Sequence, residues 1–316
     1  MNLIKKIPVP AAGLALGLAA LGNLIMPYSV AARYVCGALS FILLLWLKLR
    51  FITDFAGVKK ELENPVALSV LPTFTMAWML LGYLMQINGA YWKVAGIALA
   101  IKVLWYVVLV LQFVIIGIFG VRFVLKFNIK TVFASWFITF VGFVVASVTA
   151  PAMQAQLLGQ VLFYVGLVLY LVLLPVVLYR VFKVKQIPEP ACPTVAIFAA
   201  PIGLLLTGYC SVFEKQGFVF YLVLALAVAS YLFVLVQMPS LLKLKFYPSY
   251  SSFTFPLVIC AVGFARVSAA VQQGVMAPVY KVLAVAATVI AVLIVAYVLV
   301  RYCLFLFAKP KAQKEA

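Results

Sequence analysis

The residues that could do chemistry are few, and their distribution is informative. All six acids, Asp54, Glu61, Glu63, Glu189, Glu214 and Glu315, fall in connections or at the tail, never inside an apolar run, and the chain has no histidine. Carboxylates or histidines inside a membrane commonly mark proton relays and cation pathways, and acid–base catalysis needs the same groups. A proton pump, a carboxylate-based cation antiporter and an intramembrane hydrolase are therefore disfavoured, and the chain reads as a non-enzyme without cofactor or metal. The five cysteines, Cys36, Cys192, Cys210, Cys260 and Cys303, are scattered through apolar context without metal or redox spacing. The charges left inside apolar runs are positive. Arg266 follows Phe255 by 11 residues (266 − 255), which on a helix places it roughly 20° from the same face and about 16 Å further along. Phe255, Ile259, Gly263 and Arg266 thus form a stripe. If the stripe faces a pore, Arg266 stands near one mouth and concentrates anions; otherwise it snorkels to the interface. Lys102 could snorkel, face a subunit contact or meet a lipid headgroup. Hydroxyls flank prolines at Thr73, Thr75 and Thr254, where they could bind anions or cap carbonyls.

These groups are embedded in a chain that is 68% hydrophobic and 9% charged over 316 residues. Soluble domains carry about 25% charged residues, so the chain reads as an integral membrane protein. The apolar runs are long and continuous rather than alternating, which favours helices over a barrel. A crossing takes about 20 residues. Ten spans fit, at 8–26, 30–50, 66–87, 91–118, 131–150, 155–182, 193–212, 217–238, 252–272 and 278–306, as a single transmembrane domain over 1–316. The first run reads as a retained span, because no convincing cleavage site follows it.

The net charge of +18 sits between the spans. That favours a topological reading over nucleic-acid binding. The connections after spans 1, 3, 5 and 9 are tight, at Pro27-Tyr28-Ser29, Asn88-Gly89-Ala90, Ala150-Pro151-Ala152 and Gln272 to Pro278, and the one after span 7 carries Glu214 and Lys215. Those after even spans are longer and basic. Together with both termini and the span ends they collect 18 of the 24 lysines and arginines, against four (Arg33, Lys93, Lys215 and Lys281) opposite. The positive-inside rule puts both termini in the cytoplasm, with the plasma (cell inner) membrane as the expected location. Five hairpins of one design result. Odd spans carry Pro10, Pro72, Pro201 and Pro256 early; span 5 has none, and Gly142 is its flexible point. Among even spans only span 6 has an interior proline, Pro175. A set of kinked helices points to an inner ring of odd spans facing a polar cavity, although prolines are common in membrane helices generally. Gly13 and Gly17 share a face of span 1, suited either to close helix packing or to a narrow pore wall.

Several segments carry a family resemblance: IPVPAAGLALGLAALGN at the start, ENPVALSVLPTFTM into span 3, LLPVVL in span 6 and SYSSFTFPLVICAVGFA in span 9. In their order and spacing they are similar to the tellurite-resistance/dicarboxylate transporter family, which includes the plant slow-type anion channels. The resemblance implies five hairpins around a central pore in each subunit, odd helices lining it, a homotrimer, a small anion as substrate and a phenylalanine gate. By motif match that gate is Phe255; Phe253 points elsewhere. Pro10, Gly13, Gly17, Pro72, Thr73, Gly142, Pro201, Gly203, Thr254, Pro256, Ile259, Gly263 and Arg266 are the pore-lining candidates. One departure is TVFASWFITFVG, where a proline near an aromatic is common in the family. The competing functional readings are a coupled transporter of an oxyanion or C4-dicarboxylate, and a non-transporting membrane scaffold.

Overall fold

Apolar runs of this length satisfy their backbone polar groups only as helices. The computed structural model, which describes residues 3–87 and 95–308, is all-α. Among the described residues nine helices are long and apolar enough to cross a membrane. A shorter one, α1 (Ala11–Ile25), precedes them. The nine are α2 (Val30–Thr53), α3 (Pro65–Tyr83), α4 (Gly96–Val124), α5 (Trp136–Met153), α6 (Gln156–Val184), α7 (Glu189–Val212), α8 (Phe218–Leu241), α9 (Pro248–Ala270) and α10 (Ala277–Phe307). At 15 residues α1 is about 22 Å long, short of the ~30 Å hydrocarbon core. It is buried within the protein along nearly its whole length and so need not match the lipid. The expected turn Asn88-Gly89-Ala90, Lys93 and the tail residues Lys309, Lys311, Lys314 and Glu315 lie outside the described residues.

The two alternating sets of helices differ in regularity. Of the odd-numbered ones, α1 is unbroken, while α3, α5, α7 and α9 are irregular in their first half. α3 is interrupted at Leu71 and restarts at Pro72. α5 passes through a 3₁₀ segment at Gly142–Val144. α7 begins as 3₁₀ over Glu189–Phe198, and α9 as 3₁₀ over Pro248–Phe253. Pro72, Pro201 and Pro256 all sit in the first turn of the α-segment after such a break. There the missing N–H has no intrahelical partner to lose. The prolines therefore start α-segments, and the irregularity lies just upstream of them. Pro10 likewise is the residue before α1. The even helices are continuous, with π-helical tails at Gly120–Val124 and Tyr179–Val184. α8 extends to Leu241 and takes in Pro239, so Pro175 is not the only proline inside an even helix.

Burial follows the same division. In their most apolar windows α3, α5, α7 and α9 are between 67% and 89% buried, while the even helices are between 22% and 39% buried. Each odd helix packs on the next, and α9 packs back on α1; each even helix packs on the odd one before it. Buried hydroxyls join the odd helices: Ser69 donates to Ser135 at 2.6 Å, and Thr139 to the Ser69 carbonyl at 3.0 Å. Lys6 donates to the Ala308 carbonyl at 3.2 Å, and Lys5 pairs with Asp54 at 3.7 Å. The N-terminal segment, the end of α10 and the α2–α3 connection therefore meet at one end of the bundle.

Candidate functional site

At that end, the starts of the five odd helices converge on a cavity of about 640 Å³. Pro10, Pro65, Phe133, Pro190 and Pro248 line it, together with Glu61, Asn64, Tyr247 and Ser249. The Asn64 side chain caps α3 by accepting from the Val66 N–H at 2.8 Å, which fixes the entry of Pro65. Ser249 donates to the Pro190 carbonyl, joining α9 to α7 at the rim. Tyr247 donates to Glu189 at 3.0 Å, and holding its proton this way pushes the phenol pKa up. Glu61 comes from a short helix, Phe55–Glu61, that appears as a loop in the sequence pattern. It accepts from the Val9 N–H at 2.8 Å and pairs with Arg50 at 2.7 Å.

About two 3₁₀ turns further along α9, roughly 10 Å deeper, lies Phe255. Its ring borders a second cavity with about 10 Å³ of room for water centres, barely enough for one molecule. The walls are Met76 from α3, Phe137, Ile138, Val141 and Gly142 from α5, and Ala200, Pro201 and Leu204 from α7. They offer no side-chain hydrogen-bonding group. Phe255 is 5% exposed. The backbone beside it is tightly held: the Thr254 hydroxyl reaches the carbonyls of Ser251 at 2.7 Å and Gly13 at 3.1 Å. Phe253 packs instead against Tyr250, with ring centroids 4.8 Å apart.

A third cavity, again of about 640 Å³, opens at the opposite end between α7 and α9. Arg266 lines it with Ser211, Tyr209, Gln156 and Glu214. The guanidinium donates to the Thr207 carbonyl at 3.3 Å and to the Ser211 hydroxyl.

The sequence candidates thus separate into groups. Gly142, Pro201 and Phe255 meet at the small second cavity, Pro10 lines the first cavity and Arg266 the third. Gly13 and Gly17 face α9: a Cβ on Gly17 would stand 2.4 Å from the Thr254 hydroxyl. Gly203 and Gly263 sit where α7 and α9 touch, against Cys260 and Leu206 respectively. The Ile259 carbonyl accepts from Thr207 at 3.1 Å in the same contact. Pro72 and Pro256 are helix starters, and Thr73 and Thr254 spend their hydroxyls on carbonyls near the breaks. Lys102 lies half-buried on α4, away from all three cavities. Met76, Phe137, Ile138, Val141, Ala200 and Leu204 at the inner cavity, and Glu61 among others at the first, are wall residues that the sequence pattern did not single out. The apolar ones look like any span residue, and Glu61 stood out only as one of six acids outside the apolar runs.

Among the described residues no cluster of His, Cys, Asp or Glu could hold a metal ion. No curated protein matches the chain. The sequence model of the voltage-dependent anion channel family matches residues 6–303. The chain therefore belongs to that family, the one its motifs resemble, whose members are membrane transport proteins rather than enzymes.

Proposed function

We propose that, as a member of this family, the chain conducts small anions through a pore running along its odd helices, with Phe255 as the plug. In this reading α1 to α10 are ten membrane crossings arranged as five hairpins. The odd helices form an inner ring and the even helices an outer one. The end carrying Lys5, Lys6 and the basic connections, with both termini, faces the cytoplasm under the positive-inside rule. By family resemblance three subunits assemble, each with its own pore. The packing of α9 back on α1 and the alternation of burial support the ring.

The observation that carries the proposal is the position of Phe255. Along α9 it stands between cavities of about 640 Å³ near either end, the far one bounded by α6 to α9, at a point with room for at most one water. Apolar walls make a hydrated anion shed water without replacement, so the constriction is closed to ions by dewetting. The ring is closely packed here, so opening requires Phe255 or α9 to move together with its neighbours. Arg266 at the far opening attracts anions, with Glu214 on the same wall opposing it.

Removing the ring tests this directly. Phe255→Ala, reconstituted in planar bilayers, is expected to raise chloride conductance about tenfold or more over the parent by widening and wetting the constriction. A folded variant as silent as its parent would sink the gate assignment.

A further inference from the structure

An anion path would be expected to start among cations, yet among the described residues the only charged side chain lining the first opening is an acid, Glu61. Its countercharge is set behind it. Arg50, 7% exposed, contacts Glu61 Oε2 at 2.7 Å and Asp54 at 3.6 Å, and donates to the Ile7 carbonyl. Asp54 in turn reaches Lys5 at 3.7 Å. The other Glu61 oxygen holds the Val9 N–H just ahead of α1. The carboxylate is thus fixed on the wall of the opening, with both oxygens held and its nearly buried partner not itself lining the cavity.

We propose that Glu61 is a specificity-determining residue that filters anions by valence at this mouth. The inference rests on the anion-pore reading. The free energy of an ion in the mouth's potential scales with its charge, so a wall charge acts once on a monovalent anion and twice on a divalent one. If neutralising Glu61 multiplies entry of a monovalent ion by some factor, it multiplies entry of a divalent ion by the square of that factor. Arg50, left without that partner, adds to the effect from behind the wall. The influence is a field rather than a bond, so salt suppresses it: screening lengths fall from about 30 Å at 0.01 M to about 3 Å at 1 M.

The test uses the Phe255→Ala protein with and without Glu61→Gln, reconstituted in bilayers, with chloride and sulfate as probes. Glutamine keeps an oxygen for the Val9 N–H. In about 20 mM salt, Glu61→Gln is expected to raise chloride conductance about twofold and sulfate conductance about fourfold, both gains shrinking below about 1.3-fold near 1 M. Asp54→Asn also takes a carboxylate from Arg50 but does not line the mouth, so it should change the sulfate-to-chloride ratio clearly less than Glu61→Gln does. Equal gains for both ions, a gain that survives high salt, or the same ratio change from Asp54→Asn would overturn the inference while leaving the pore standing. A folded Phe255→Ala protein that passes neither ion would bring down both.

Discussion

α7 and α8 are consecutive helices of 24 residues each, and they solve opposite problems. α7 is 89% buried over its most apolar window with a mean hydropathy of 1.9; α8 is 33% buried with a mean hydropathy of 2.6. The less apolar helix is the more buried one. The pattern is general here: α3, α5, α7 and α9 span 1.5 to 1.9, and the five even helices span 2.0 to 2.9, with no overlap. In water this ordering would be inverted. In lipid, leucine and valine are solvated by acyl chains and gain little from burial against protein. The interior is instead held by close approach of small residues and by hydroxyls bonded to carbonyls. Ser40 donating to the Ala15 carbonyl at 2.7 Å and Thr207 donating to the Ile259 carbonyl at 3.1 Å are examples.

Glycine substitutions press hardest on this contrast. On α1, Gly17→Ala puts a methyl where the Thr254 side chain stands 2.4 Å away. Despite the better helix propensity of alanine, a loss of about 2–3 kcal/mol is expected from overpacking, seen as a lower unfolding temperature in detergent. A smaller effect is expected where an even helix is tied to an odd one. Trp105 of α4 donates its indole N–H to Thr149 of α5 at 2.8 Å. Trp105→Phe should cost about 1 kcal/mol in the same assay; no change would mean that the bond adds nothing to the joint between the two sets. The smallest change should carry the opposite sign. On α4 a Cβ at Gly117 meets nothing within 4 Å. Gly117→Ala is expected to be neutral or stabilising by up to ~1 kcal/mol, from helix propensity alone. If Gly17→Ala and Gly117→Ala behaved alike, the distinction between packed and lipid-facing helices would collapse.

Much of this arrangement was legible in the chain because lipid imposes a simple rule on length and polarity. The long apolar helices fall within a few residues of the apolar runs, and Pro72, Pro201 and Pro256 stand beside breaks in α3, α7 and α9. α5 shows why the proline signal was incomplete: with no proline before its last turn, it still breaks at Gly142–Val144, where the glycine that the pattern singled out begins a 3₁₀ segment. The form of the breaks was not legible. Whether a proline kinks a helix or starts one depends on where the upstream backbone bonds go, and the 3₁₀ runs before Ala199 and Thr254 have no sequence period of their own. The roles of the glycines were similarly open. Gly13 and Gly17 suit a pore wall and a helix contact equally well by spacing, and only the position of α9 decides between them. Glu61 was visible as a loop acid, but its place at the cavity depended on Arg50 and Val9, which lie on other elements.

The contact between the Thr254 hydroxyl and the Gly13 carbonyl joins residues 241 positions apart. A ribosome adding about 5–20 residues per second leaves roughly 10–50 s between the emergence of these two partners. Throughout that interval the glycine face of α1 has no α9 to receive it, so the first helix made is among the last to be completed. The insertion machinery, or the lipid beside it, must shelter that narrow unpaired face during biogenesis. Chains cut off before α9 should accumulate as species ready to pair with the wrong helix.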